Sequence, residues 1–138
     1  MSYNTRSEIE AVVLGFETCI LAKDEFPHAR HLTVAVWYLS GGKFDQAFEK
    51  MRTGLFRFLD HHGVGREKYN ETLTFFWMKL ISKVIAELQP DLSLVEITNL
   101  VIERLANSRL VFEYYTPELL QSEEAKRKWV EPDLRKII

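Results

Sequence analysis

Apolar residues recur every three or four positions between Phe44 and Leu59, and this period constrains the fold more than any other feature of the sequence. The apolar stripe consists of Phe44, Phe48, Met51, Leu55, Phe58 and Leu59. Charged and amide side chains occupy the opposite face, so the pattern predicts a surface helix that buries one side. The helix should end at Gly63, because glycine readily adopts the left-handed conformation that closes a helix.

The same period predicts four further helices, which begin and end near capping residues, glycines and prolines. They run from a Ser7–Glu10 capping box to about Ala22, from Pro27 to about Leu39, from Tyr69 to Leu88, and from Ser93 through Leu105. No segment alternates apolar and polar residues over the length of a strand. The sequence therefore predicts an all-α, single-domain bundle of about five main helices.

Two parts of this bundle carry more specific expectations. Residues 69–88 are apolar over most of the helix circumference, which predicts a central helix with Trp77 buried in the main core. Beyond Asn107 the helical segments become short, and they begin at Thr116 and at Ser122. We expect residues 1–138 to form one domain, with a C-terminal arm (residues 108–138) packed on the bundle, because its aromatic side chains would otherwise be exposed.

Charge and composition argue against several classes of function. Eighteen Lys and Arg against twenty Asp and Glu give a formal charge of −2, so we expect no nucleic-acid partner. Cys19 is the only cysteine, which excludes an intramolecular disulfide and a multi-cysteine metal site. The longest strongly apolar stretch, Val34–Leu39, is far below the roughly 20 residues of a membrane span. We expect a soluble, cytoplasmic protein without a signal peptide or a membrane partner.

The four histidines fall into two pairs. His28 and His31 lie one turn apart on one helical face, near a helix N-terminus where the helix dipole disfavours the imidazolium form. A neutral imidazole binds a metal or accepts a proton, although both histidines could equally be hydrogen-bonded residues at the edge of the core. His61 and His62 precede a helix C-terminus, where capping is the better explanation.

Asn70 and Glu71 open the predicted helix 69–88. In an up-down bundle this helix starts beside the start of the second helix, so His28, His31, Asn70 and Glu71 are predicted to line one polar ligand-binding pocket. His28, His31 and Glu71 would suffice to hold one divalent metal ion with open positions. The same groups would suit proton transfer on a small polar substrate, with a histidine as the base. These residues do not decide whether the protein is an enzyme.

Three blocks of the sequence resemble a family of small bacterial all-helical proteins of unknown function. The blocks are His28-Ala-Arg-His-Leu-Thr-Val-Ala with Tyr38-Leu, Tyr69-Asn-Glu-Thr-Leu-Thr-Phe-Phe-Trp, and Tyr114-Tyr-Thr-Pro-Glu-Leu-Leu-Gln-Ser-Glu-Glu-Ala with Trp129-Val-Glu-Pro-Asp-Leu. In such sequences histidine usually occupies the position of Asn70, and that version would offer three histidines and a glutamate, a metal or acid–base site from which this sequence departs. Asparagine is a poor ligand for zinc or iron, so Asn70 weakens the metal interpretation. The resemblance, which covers most of the chain from residue 26, implies no reaction.

The alternative function is a non-catalytic helical interaction module. The C-terminal arm contains Phe112, Tyr114, Tyr115 and Trp129, which would pack on the bundle or on a second copy of the chain. Such a module would act through self-association, as a homo-oligomer, or through docking of a partner protein. The two hypotheses differ in whether His28 and His31 approach Glu71 in an open pocket.

Overall fold

Five long helices form the core of the fold. The computed structural model describes residues 2–137, and the main helices are α1 (Arg6–Glu17), α2 (His28–Ser40), α3 (Phe44–His61), α4 (Glu71–Glu87) and α5 (Leu94–Arg104). Short helices α6 (Pro117–Leu120) and α7 (Glu123–Arg127) follow, and 3₁₀ turns occupy Lys23–Glu25, Arg66–Lys68 and Ser108–Glu113. No strand occurs within residues 2–137, which confirms the all-α prediction. Met1 and Ile138, the ends of the predicted domain, lie outside the described residues.

The first helix begins and ends earlier than its sequence pattern predicts. Its N-cap is Thr5, whose side chain accepts a hydrogen bond from the Glu8 backbone while the Glu8 carboxylate accepts one from the Thr5 backbone. The predicted Ser7–Glu10 box is therefore wrong by two positions. The helix ends at Glu17 rather than near Ala22, because Cys19 adopts a left-handed backbone with φ of 60° that a helix does not accommodate.

The helix at the centre of the bundle is α2, not α4 as its apolar circumference predicted. Helix α2 packs against all four other main helices, and residues 32–36 are buried without interruption. Helix α4 packs against α2, α3 and α5, and its remaining apolar face is covered by α7. Helix α4 is therefore apolar over most of its circumference because the C-terminal arm packs against one of its sides. No helix within residues 2–137 has the length and apolar character needed to cross a membrane.

The C-terminal arm is held on α4 by aromatic rings and by hydrogen bonds between the side chain of Thr72 and the backbone of the arm. The side chain of Tyr115 is fully buried, and the ring of Trp129 lies 4.6 Å from that of Phe75. Thr72 in α4 donates a hydrogen bond to the Lys128 carbonyl at 2.8 Å and accepts one from the Val130 backbone at 3.2 Å. These contacts place the arm beside the N-terminal half of α4.

Candidate functional site: a cavity beside the start of α2 and α4

A cavity of about 610 Å³ lies among α2, α3, α4 and the turn at residues 108–113. Volumes of this order are typical of sites that enclose drug-sized organic molecules. The wall is largely apolar, and its members include Phe26, Leu55, Phe58, Leu73, Trp77 and Phe112. Trp77 is half-buried at this wall, so its predicted place in the main core is wrong. The fully buried aromatic ring of α4 is that of its neighbour, Phe76.

His28 lies at the first position of α2 and lines the cavity. Its Nε2 lies 2.8 Å from the carbonyl oxygen of Leu105, at the end of α5. A carbonyl only accepts hydrogen bonds, so Nε2 carries the hydrogen, and in the neutral ring Nδ1 is left as an acceptor. The imidazole packs edge-on against Trp77, with the ring centroids 4.6 Å apart. The side chain is therefore fixed in position by α4 and α5.

His31 lies one turn further along α2 and also lines the cavity. Its ring packs against Phe26, with centroids 3.9 Å apart. Burial lowers the pKa of His31 to about 4, the proximity of His28 contributes in the same direction, and the Phe26 backbone acts in the opposite direction. His31 is consequently neutral at pH 7. The neutral form agrees with the sequence interpretation, although its main cause is burial rather than the helix dipole.

Asn70 lines the same cavity, and its amide joins two parts of the fold. The side-chain oxygen accepts a hydrogen bond from the Leu73 backbone at 3.0 Å and so caps α4. The side-chain nitrogen donates to the Leu120 carbonyl at 2.7 Å, which ties the arm to the start of α4. These two bonds explain why an amide suits this position.

Glu71 does not join the other predicted site residues. Its carboxylate accepts hydrogen bonds from the guanidinium of Arg52 and from the hydroxyl of Tyr69, the latter at 2.7 Å. Burial acts to raise the pKa of Glu71, but the bonds from Arg52 and Tyr69 outweigh it, so the pKa lies below its ordinary value. The carboxylate faces a separate groove, which Arg52 and Tyr69 also line. The structure therefore brings together His28, His31 and Asn70, and places Glu71 elsewhere.

The described residues do not assemble a set of metal ligands. Within residues 2–137, no group of three or more His, Cys, Asp or Glu side chains is placed to hold a metal ion. His28 and His31 would need a third ligand, and the Glu71 carboxylate is engaged by Arg52. The second histidine pair, His61 and His62, does not line the cavity.

Two lysines of the cavity wall were not anticipated from the sequence. Lys23 belongs to the 3₁₀ turn before α2, and Lys68 ends the 3₁₀ turn before α4. Both residues are exposed. A lysine in a short polar link carries no sequence signal of its own. For Lys68, the sequence offers one indirect indication that it lies near the cavity, namely the expectation that α2 and α4 begin side by side.

Comparisons of the chain with protein-family models, with curated proteins and with solved structures found no match. The function of the cavity is therefore interpreted from its geometry and chemistry.

A double-mutant cycle tests the separation of Glu71 from the histidines. We expect the losses in unfolding free energy of His31→Ala and Glu71→Ala to add to within about 0.5 kcal/mol, because the two side chains share no partner. The matched pair Arg52→Ala and Glu71→Ala should instead couple by about 1 kcal/mol or more, since these side chains are directly bonded. Both cycles are measured by urea unfolding. Strong coupling between His31 and Glu71 would contradict the placement described above.

Proposed function

We propose that the protein binds a small, largely apolar organic molecule in the cavity beside the start of α2 and α4. The observation that carries this proposal is a volume of about 610 Å³ with an apolar wall and a few polar groups at one end. Well-packed domain interiors leave few voids much larger than a water molecule. A concave apolar site with convergent polar groups is the usual form of a small-molecule site.

The polar end of the cavity suits hydrogen bonding to one group of such a molecule. The two imidazoles lie on consecutive turns of α2, and their rings are held by Trp77 and Phe26. His31 is neutral at pH 7, so it presents its ring to a ligand without the charge of an imidazolium. Fixed side chains of this kind bind a ligand without a large loss of conformational entropy.

Binding, rather than acid–base catalysis, is the function that the geometry supports best. The catalytic version of the sequence hypothesis used Glu71 as the partner of a histidine, and this carboxylate is bonded to Arg52 instead. A divalent metal at His28, His31 and Glu71 would require Glu71 to leave Arg52, so we base no step on it. The aromatic rings of the arm, Tyr115 and Trp129, pack within the molecule, so they lend no specific support to the interaction module.

A cavity-filling substitution tests the proposed function. Leu73→Trp adds an indole to the cavity wall, so we expect apolar probes to bind at least about tenfold more weakly, while the melting temperature stays near that of the wild type. The measurement is ligand-observed NMR with a panel of small aromatic and aliphatic molecules, including indole, naphthalene derivatives and octanol.

The matched control is Leu94→Trp, because Leu94 is also half-buried and does not line the cavity. This variant should bind the same probes as the wild type. Equal binding by all three proteins, or binding by none of them, would overturn the proposed function.

A further inference from the structure

The charged groups on the cavity wall all have the same sign. Lys23 and Lys68 line the cavity, whereas no aspartate or glutamate among residues 2–137 does so. Their acidic neighbours in sequence, Asp24, Glu25 and Glu67, are absent from the wall. Two lysines on the wall of an apolar chamber, with no carboxylate of residues 2–137 on that wall, favour an anionic ligand over a cationic one.

The two ammonium groups are available to a ligand. Within residues 2–137, no carboxylate lies within salt-bridge distance of Lys23 or Lys68. Two residues separate the turns that contain the two lysines from the first residues of α2 and α4. Residues at the start of α2 and of α4 also line the cavity, and the helix N-termini add a partial positive charge there.

On this basis, and resting on the proposed function, we infer the chemical class of the ligand. We propose that the cavity takes an amphipathic monocarboxylic acid, with its apolar body against Leu73 and Trp77 and its carboxylate at Lys23 and Lys68. The size and the apolar wall of the cavity account for the body of the molecule, and the single sign of the charged groups accounts for the carboxylate. A cationic ligand with the same body would meet two like charges and find no acidic partner.

Ligands with the same apolar chain and different head groups separate the contribution of the carboxylate to affinity from that of the apolar body. The experiment titrates the full chain with octanoate, octanol and octylamine at pH 7 by isothermal calorimetry, at low and at high salt. We expect octanoate to bind about five- to tenfold tighter than octanol at low salt, because each exposed charge pair contributes modestly. The preference should shrink at high salt, which screens exposed charges. Octylamine should bind most weakly.

Variants then assign the preference to the two lysines. In the double variant Lys23→Gln/Lys68→Gln, octanoate should bind no more than about twice as tightly as octanol. The control Lys83→Gln removes an exposed lysine of α4 that does not line the cavity, and it should keep the full preference.

The outcomes distinguish this inference from the proposed function. Binding of octanol with no preference for octanoate, or a preference that survives in the double-lysine variant, would overturn the inference and leave the apolar site standing. Binding of none of the three ligands, together with none of the neutral probes, would overturn both. A preference for octanoate that is lost only in the double-lysine variant supports the carboxylate site.

Discussion

Replacement of Tyr115 by alanine should lower the free energy of unfolding by about 3–5 kcal/mol, the range found for the truncation of large buried aromatic side chains. Tyr115 is fully buried and packs against Phe76 of α4 and Trp129 of the arm, with ring centroids 6.0 and 6.3 Å apart. Its hydroxyl also donates a hydrogen bond to the Val130 carbonyl. The substitution thus removes one of the rings that join the arm to the bundle. Urea unfolding followed by circular dichroism measures the loss.

The matched control for this substitution is Tyr115→Phe, which keeps the ring and removes only the hydroxyl. We expect a loss of about 1 kcal/mol, because the Val130 carbonyl loses its donor while the packing is retained. The contrast between the two variants separates the contribution of the ring from that of the hydrogen bond. A loss below about 1 kcal/mol for Tyr115→Ala would show that the arm contributes little to the fold.

The second large effect is a loss of stability in mild acid that originates at His31. In the unfolded chain this imidazole takes up its proton near pH 6.5, whereas burial in the folded protein lowers its pKa to about 4. Between these two values the unfolded state holds more protons, so its free energy falls relative to that of the folded state as the pH decreases. The contribution of His31 to stability should be fully present above about pH 6.5 and should drop by about 3 kcal/mol by pH 4.

Comparison with a variant isolates this contribution from the titration of the carboxylates. Urea unfolding between about pH 4 and pH 7.5 is measured for the wild type, for His31→Gln and for His61→Gln. The His31→Gln variant should lose about 3 kcal/mol less than the wild type over this interval. The exposed His61 serves as the control, and its variant should follow the wild type. Parallel profiles for the wild type and His31→Gln would contradict a lowered pKa of His31 in the folded protein.

The helices were predictable because their signals are local. Helix α3 spans Phe44–His61, in close agreement with its apolar stripe, and Ser93, the predicted start of the fifth helix, caps α5 in a capping box with Glu96. The errors occur where tertiary contacts decide the outcome. The left-handed backbone at Cys19 ends α1 early, although cysteine itself carries no turn signal. The sequence predicted α4 at the centre of the bundle, whereas the structure has α2 there. The apolar circumference of a helix does not reveal which other elements cover it.

The candidate site was partly predictable for a topological reason. The up-down course of α2, α3 and α4 predicts that the starts of α2 and α4 lie side by side, and His28, His31 and Asn70 line one cavity. The periodicity did not determine the orientation of Glu71, because Arg52 on α3 provides a strong ionic partner at that end. The cavity itself follows from the volumes of side chains on four separate segments. No local pattern in the sequence encodes such a volume.

The wall of the cavity is built from two parts of the chain that are distant in sequence. One part belongs to α2, α3 and α4, and the other is contributed by Val111, Phe112 and Leu120 of the C-terminal arm. A molecule that touches both parts binds only while the arm is docked, so occupancy and docking are thermodynamically linked. At a ligand concentration one hundred times its dissociation constant, this linkage is worth about 2.7 kcal/mol. With the proposed ligand bound, the last quarter of the chain should therefore open less often than it does without a ligand.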